Sequence, residues 1–515
     1  MLTMNFTSFR IVLFSVLATV FISSCTVNPV TGNKDLLFVG EDWELNVGKQ
    51  NYLPLRQSQG GDYTADPGVE KYVRSVGQKL AAQSDRKLPY EFNVINDSVP
   101  NAWALPGGKI SINRGLLMEL KDEAELSAVL AHEIVHSAAK HGARGQSRGI
   151  LLQGAVMAAT IAGSRKGYGQ AAQATSSIAA QLTNTKYSRA AELESDLYGM
   201  RYMSKAGYDP QGAVDLQQTF VRLSEGRQSD FISGLFASHP PSHERVAKNK
   251  ATAAVLPAGG DRGKARYDKA MGRLKKTSAA YELFGDAQQA LKANNIKEAV
   301  NLTNKAIRIE PREGHFQSFL GDISIKTNNY KAAKSYFDKA VKLNPNFYYY
   351  RVRRGEVNQK NGNTAAARAD FEASMKLLPS AEAQYGLGIL ERDAGNISAA
   401  KKMLAGAAQS QSPVGEKATD ALLALDLGDN PQIYLTVNRG LSKNGTFAFQ
   451  LINNTSRPLT GIQLGVTMSD GTKSISNVSG TLAGGETKLI DTGRKMSKAQ
   501  ADAIKVQVVD VNVQK

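Results

Sequence analysis

The chain has 515 residues, 42% of them hydrophobic and 21% charged, which is ordinary for folded protein and excludes a disordered or fibrous class. Its net charge of +16 is dispersed, with no aromatic interleaving and no nucleic-acid motif, so nucleic acid is not an expected partner. Cys25 is the only cysteine, which rules out an intramolecular disulfide.

The apolar run 11–22 follows Arg10 and is too short to span a bilayer as a mature helix. It ends in ISSC, which resembles the lipobox of a bacterial lipoprotein. The expectation is a signal peptide over 1–24 and lipid attachment at Cys25, hence contact with a membrane. Thr26, in place of aspartate, resembles the sorting signal for the outer membrane, at its periplasmic face. Next, YEFNVIN (90–96) and KISIN (109–113) read as short strands around the turn-rich NAWALPGG (101–108).

A helix follows. Asp122 offers an N-cap and Glu125 an acidic variant of the capping box; Leu126, Val129, Leu130 and Ile134 recur at helical spacing, and Gly142 offers a stop. On it HEIVH places His132 and His136 four residues apart on one face, able to grip one Zn²⁺, with Glu133 beside them as a general base. The all-histidine class of zinc protease is excluded, because Ala139 and Gly142 stand where its glycine and third histidine belong and His141 falls one residue short. A glutamate-ligated class fits. SRAAELESDLYG (188–199) lies on a predicted helix over 188–206, stopped by Gly207. Glu192 supplies the third ligand, and Asp196, one turn on, orients a ligand histidine. Between the two helices, 150–181 is apolar and small-residue-rich, suiting a lid, a membrane-surface pad or a pair of buried helices.

HEIVH, ELESD beginning 56 residues after His136, NAWALPGG and ISINRGLL together resemble the gluzincin family of prenyl-protein proteases and bacterial heat-shock membrane proteases, over roughly 35–250. The resemblance implies a mainly helical zincin-type domain with a small edge sheet, one zinc ion and metalloendopeptidase activity. In that family the sheet lies beside the metal, which implies substrate addition along a strand edge at Asn101, Trp103, Ile110 and Ile112. A Ser-His-Pro segment also lies near the family's metal. Here SHPPSHER (238–245) makes His239 a second catalytic candidate, as an oxyanion donor or as an occupant of zinc's open position.

Beyond the peptidase region (25–255), a basic linker over 256–278 carries seven basic residues between Arg262 and Lys276. Pro311, Pro345, Pro379 and Pro413 then recur at 34 residues, with Ala299, Ala333 and Ala367, Phe337 and Phe371, and Gly321 and Gly355 in matching places. That is the tetratricopeptide period, predicting four repeats over 279–428. Gly388 comes one residue early, predicting a shortened first helix or turn in the fourth repeat. The tail, 429–515, alternates short apolar segments with Gly, Asn and Ser turns and reads as a small β-sandwich. The fold class expected is multidomain α+β. The function expected is a lipid-anchored periplasmic zinc endopeptidase acting on envelope proteins, whose repeats recruit protein substrates or an envelope complex. The competing expectation is a chaperone or adaptor that keeps the protease fold and holds clients.

Overall fold

The computed structural model describes residues 25–150, 187–226, 238–468 and 470–513. The expected leader over 1–24, and the apolar 150–181 stretch after Ile150, lie outside the described residues. Among the described residues no helix is long and apolar enough to cross a membrane. Two compact units emerge, one running to Asn361 together with Lys376–Leu378, the other holding the remainder to Lys515.

The first unit opens on an antiparallel hairpin, β1 (Cys25–Val27) and β2 (Lys34–Leu36), followed by α1 (Glu41–Ser58) and α2 (Pro67–Ala81). Asp66 caps α2 by accepting the Gly68 N–H, with Pro67 in the first turn where no hydrogen bond is lost. Val69, Val73, Val76 and Leu80 then bury one face in the main core. Beside it lies a three-stranded sheet, β3 (Glu91–Ile95), β4 (Ala102–Leu105) and β5 (Lys109–Asn113), in the order β3-β5-β4. This order corrects part of the edge-strand expectation. Ile110 and Ile112 lie on the central strand, fully buried and paired on both flanks, so no further strand can add there. Only β4 presents an edge next to the metal helix, and Trp103 lies on it while Asn101 precedes it.

After α3 (Arg114–Glu119), the helix α4 (Glu123–Ala138) carries HEIVH. Asp122 caps it through the Glu125 N–H, but the Glu125 carboxylate takes the N–H of Lys121, one residue before the cap. The helix ends at Ala138, ahead of the expected stop at Gly142, because Lys140 adopts φ 59°. α5 (Arg189–Lys205) and α6 (Gln211–Gly226) pack on α4, and α7 (His243–Val255) packs on α5 and α6.

The 256–278 stretch is no free linker. Its helix α8 (Lys264–Lys276) buries Tyr267, Met271 and Leu274 completely in the main core. Its basic flank is spent on ion pairs, Arg262 with Asp122, Arg266 with Glu123 and Arg273 with Glu310. Helices α9 (Ser278–Lys292), α10 (Ile296–Ile309), α11 (Gly314–Lys326), α12 (Tyr330–Leu343) and α13 (Tyr348–Lys360) complete the first unit. They join the peptidase region by buried contacts. Asn96 Nδ2 donates to Glu313 at 2.9 Å, Gln57 Nε2 donates to the Asn346 carbonyl at 2.8 Å, and the Arg114 guanidinium lies 3.5 Å from the Tyr281 ring centre. Gly61 has no room for a side chain there, since a Cβ would sit 2.4 Å from the Phe347 ring.

α14 (Thr364–Leu377), α15 (Ala381–Asp393), α16 (Ile397–Ala407) and α17 (Pro413–Asp426) continue the array. The repeat positions behave as packing requires: Ala299, Ala333, Ala367, Phe337 and Phe371 are fully buried, and a Cβ on Gly321 would meet the Phe337 ring at 2.7 Å. Gly388 stands against Leu404 at 2.8 Å, at the same sequence offset as Gly321 from Phe337. The fourth repeat is therefore internally regular, and the missing residue belongs to the turn between α14 and α15 rather than to a helix.

In the second unit β6 (Leu435–Leu441), β7 (Thr446–Asn453), β8 (Leu459–Thr467), β9 (Lys473–Asn477), β10 (Thr487–Lys495) and β11 (Lys505–Val513) form two antiparallel sheets, β10-β7-β6 and β11-β8-β9. Phe447, Phe449 and Leu451 from one and Leu464 and Val466 from the other share a core, which Leu423 and Leu427 join.

Candidate metal centre

α4 and α5 lie close enough for their side chains to converge because Gly199 faces α4. A Cβ there would stand 3.2 Å from the His132 backbone nitrogen. Ser188 caps α5 through the Ala191 N–H, so Glu192 falls in the first turn and Asp196 one turn later on the same side. His132, His136, Glu192 and His239 offer ligand atoms that all lie within 4.8 Å of one another. His136 Nε2 is 3.0 Å from His132 Nε2, and His132 Nε2 is 3.4 Å from His239 Nδ1. Glu192 oxygens lie 3.5 Å from His132 Nε2, 3.4 Å from His136 Nε2 and 3.0 Å from His239 Nδ1.

These separations fit one small cation. Donors held about 2.0–2.1 Å from zinc at tetrahedral angles stand roughly 3.3–3.4 Å apart. Mixed imidazole and carboxylate donors are those zinc takes. The electrostatics also call for positive charge at this point. Burial pulls the His132 pKa down, but the carboxylates of Glu192 and Asp196 more than reverse it, to about 10. Burial holds His136 well below its usual 6.5, in the neutral form that a ligand needs.

Glu133 is buried, and its Oε2 has no hydrogen-bond partner among the described residues. Its Oε1 lies 3.7 Å from His239 Nε2. Burial raises the Glu133 pKa above the ordinary carboxylate value, toward the range a base needs. His239 thus points one ring nitrogen at the donor cluster and the other at Glu133.

Asp196 accepts from His132 Nδ1 at 2.9 Å, which leaves Nε2 facing the donor cluster. It is itself held by a residue the sequence reading missed. Arg245 donates from Nε to Asp196 Oδ2 at 2.7 Å and from Nη2 to Oδ1 at 2.8 Å, while Nη1 lies 2.9 Å from Glu192 Oε2. Burial raises both carboxylate pKa values, yet charge outweighs it. Arg245 holds Asp196 low, and His239 and His132 hold Glu192 well below the usual range. The signal for Arg245 was in SHPPSHER, where Ser242 caps α7 through the Arg245 N–H. Tyr187 was also missed; its ring stacks on His136 at 3.9 Å and its N–H donates to the Ser238 carbonyl.

A cleft of about 460 Å³ opens beside His132, Glu133 and His239, walled by Val129, Met200, Met203, Leu216 and Phe220. On the other side of the donor cluster a second hollow of about 270 Å³ runs between Leu105 at the end of β4, His136 and Tyr187. Trp103 is turned inward, edge-on to Tyr52, with Nε1 donating to Gln59.

Residues 67–253 match the model of peptidase family M48. The chain carries an M48 peptidase domain. Tetratricopeptide repeat models match 316–347 and 352–413. The mitochondrial metalloendopeptidase OMA1 of Schizosaccharomyces pombe is 35% identical over 232 residues, 43% of this chain and 64% of that protein. The beta-barrel assembly-enhancing protease of Escherichia coli is 25% identical over 317 residues, 55% of this chain and 64% of that protein. The metalloprotease YcaL of Escherichia coli is 34% identical over 190 residues, 35% of this chain and 66% of that protein. The chain thus spans less than two thirds of the length of each of these relatives. The M48 match covers HEIVH, Glu192, Asp196 and His239 alike, and it ends within α7, just past Arg245.

Proposed function

We propose that the chain is a zinc-dependent endopeptidase of a bacterial envelope, tethered through an acylated Cys25 at the periplasmic face of the outer membrane and acting on envelope proteins that its repeats recruit. The observation that carries the reading is the convergence of His132, His136 and Glu192 next to a buried Glu133 whose Oε2 is unpaired. Bound zinc would supply a Lewis acid for the scissile carbonyl and lower the pKa of water. Glu133 takes the proton from the attacking water and passes it to the leaving amine. Arg245 and Asp196 keep His132 in the tautomer that leaves Nε2 free. The apolar cleft accepts a substrate side chain, and the edge of β4 lines the path of the peptide backbone.

His239 is the proposed brake. Its Nδ1 stands among the donors at 3.0 Å from Glu192 and 3.4 Å from His132, where it competes with water or substrate for a fourth position. The same observation favours the second reading, a client-holding chaperone that keeps the fold. Replacing Glu133 by Gln separates the two. In the endopeptidase reading the zinc-loaded variant keeps its metal and loses about 10²- to 10⁴-fold in cleavage rate. Undiminished cleavage refutes the assignment of Glu133, and an equally inactive native protein that still suppresses client aggregation supports the chaperone.

A further inference from the structure

The two ligand histidines of α4 are supported differently. His132 uses an Asp196 oxygen directly, whereas His136 turns its Nδ1 to another histidine, 2.8 Å from His141 Nδ1. His141 Nε2 in turn lies 3.2 Å from Glu194 Oε1. With Nε2 of His136 facing the metal position, only one proton arrangement satisfies the chain. His136 donates from Nδ1 to His141, and His141 donates from Nε2 to Glu194. The left-handed turn at Lys140 makes this possible, because it ends α4 and returns the chain so that His141 lies beside His136.

Glu194 is held from the far side by the amino-terminal hairpin. Arg144 reaches Glu194 at 3.3 Å and Asp35 at 3.5 Å. The Asn28 amide, 2% exposed, lies within reach of Asp35 Oδ2 at 3.0 Å, Glu194 Oε1 at 3.4 Å and the Ala139 carbonyl at 3.4 Å. Its other end, Oδ1, accepts the Val30 N–H at 2.9 Å and so fixes the turn that joins β1 to β2. Asp35 pairs with Thr26, next to Cys25.

We propose that the hairpin following Cys25 is an outer wall of the metal site, with His141 and Glu194 as positioning residues for His136 and with Asn28 and Asp35 holding Glu194 in place. The inference rests on the zinc reading of the centre. It makes zinc affinity depend on a segment beside the expected point of membrane attachment, more than a hundred residues from the ligand it orients.

The test is zinc affinity of the full chain, measured by competition with a chromophoric chelator, with unfolding of the metal-free protein followed separately. His141→Phe, which keeps a ring but no acceptor, is expected to weaken zinc binding by about 10- to 100-fold, and His141→Gln, which restores an acceptor, to recover part of it. Glu194→Gln, Asn28→Ala and Asp35→Ala are expected to shift affinity the same way, by less, without changing the fold of the metal-free protein. Unchanged zinc affinity in His141→Phe overturns the proposal, and a loss there with none in Asn28→Ala and Asp35→Ala overturns the hairpin's part in it. Should His141→Phe fail to fold, His141→Gln against Glu194→Gln carries the same comparison. His132→Ala is the control: if it too binds zinc normally, the metal reading itself fails, independently of His141.

Discussion

Replacing Arg245 by Met tests whether the centre is built around charge balance. Arg245 is 5% exposed and lies against two carboxylates that are themselves 7% and 2% exposed, those of Asp196 and Glu192. Its two hydrogen bonds to Asp196, at 2.7 and 2.8 Å, are charge-assisted and in isolation contribute about 1.5–3 kcal/mol each, and its contact with Glu192 at 2.9 Å adds an ion pair. They share one guanidinium and are not additive, so loss of the buried partner is expected to cost about 3–5 kcal/mol. A bound dication would neutralise the same carboxylates. The penalty should therefore be largest with chelator present and shrink when zinc saturates the site. Intrinsic fluorescence is a suitable probe, because the chain's two tryptophans, Trp43 and Trp103, both lie in the peptidase region and not in the repeats or sandwich. Urea unfolding of native and Arg245→Met protein, with and without zinc, gives the four values needed. A penalty below about 1 kcal/mol without metal, or one equally large with and without zinc, would refute the counter-charge argument.

His239→Ala should raise basal cleavage of an unstructured protein substrate if the histidine is a brake, and a fall of about 10²- to 10³-fold at unchanged zinc content would assign it instead to oxyanion stabilisation. Cys25→Ser should release the protein from membranes with its zinc content intact, and mass spectrometry of the mature amino terminus showing an unmodified cysteine would remove the anchor. Glu123, at the start of α4, predicts a pH dependence. Burial raises its pKa, but Arg266, Tyr72 and Tyr208 together lower it below the usual carboxylate value. A depressed folded-state pKa gives stability that is complete above about pH 5 and is lost as pH falls through the folded value. Unfolding midpoints of Glu123→Gln should thus lie below those of the native protein at pH 7 and converge with them in acid; parallel curves would show that Glu123 is not the group responsible.

The sequence was most informative where one helix fixes its own geometry. HEIVH and ELESD place His132, His136, Glu192 and Asp196 by helical spacing alone, and the structure brings them together. The 34-residue period likewise puts Ala333 and Phe337 at matching places of successive repeats, and both are fully buried. Information ran out where placement depends on breaks and on distant partners. His141 was passed over because the turn at Lys140 is not written in residue type, a lysine at φ 59° being uncommon. Ile110 and Ile112 could not be told from edge residues, since the order β3-β5-β4 is a property of three segments at once. Charge density made 256–278 look like a solvated spacer, while the alternate face with Tyr267, Met271 and Leu274 decided its packing. Within the repeats Asn294, Asn328, Gly362 and Gly395 all take positive φ, a periodicity that mixed residue types concealed.

The buried joint between the peptidase region and the first repeats bears on how such a chain can be assembled and taken apart. Cut at residue 278, where the residue pattern changes, the peptidase would leave Asn96, Gln57 and the bare backbone at Gly61 facing solvent, and would strip Arg114 of the aromatic ring that covers it. The repeats, for their part, would expose the carboxylate of Glu313 and the ring of Phe347. The division between the two compact units therefore falls inside the array, near Asn361, and not where the residue pattern changes. Exchange of this peptidase region onto another scaffold would have to carry α9 through α13 with it, so the leading repeats travel with it as part of one body.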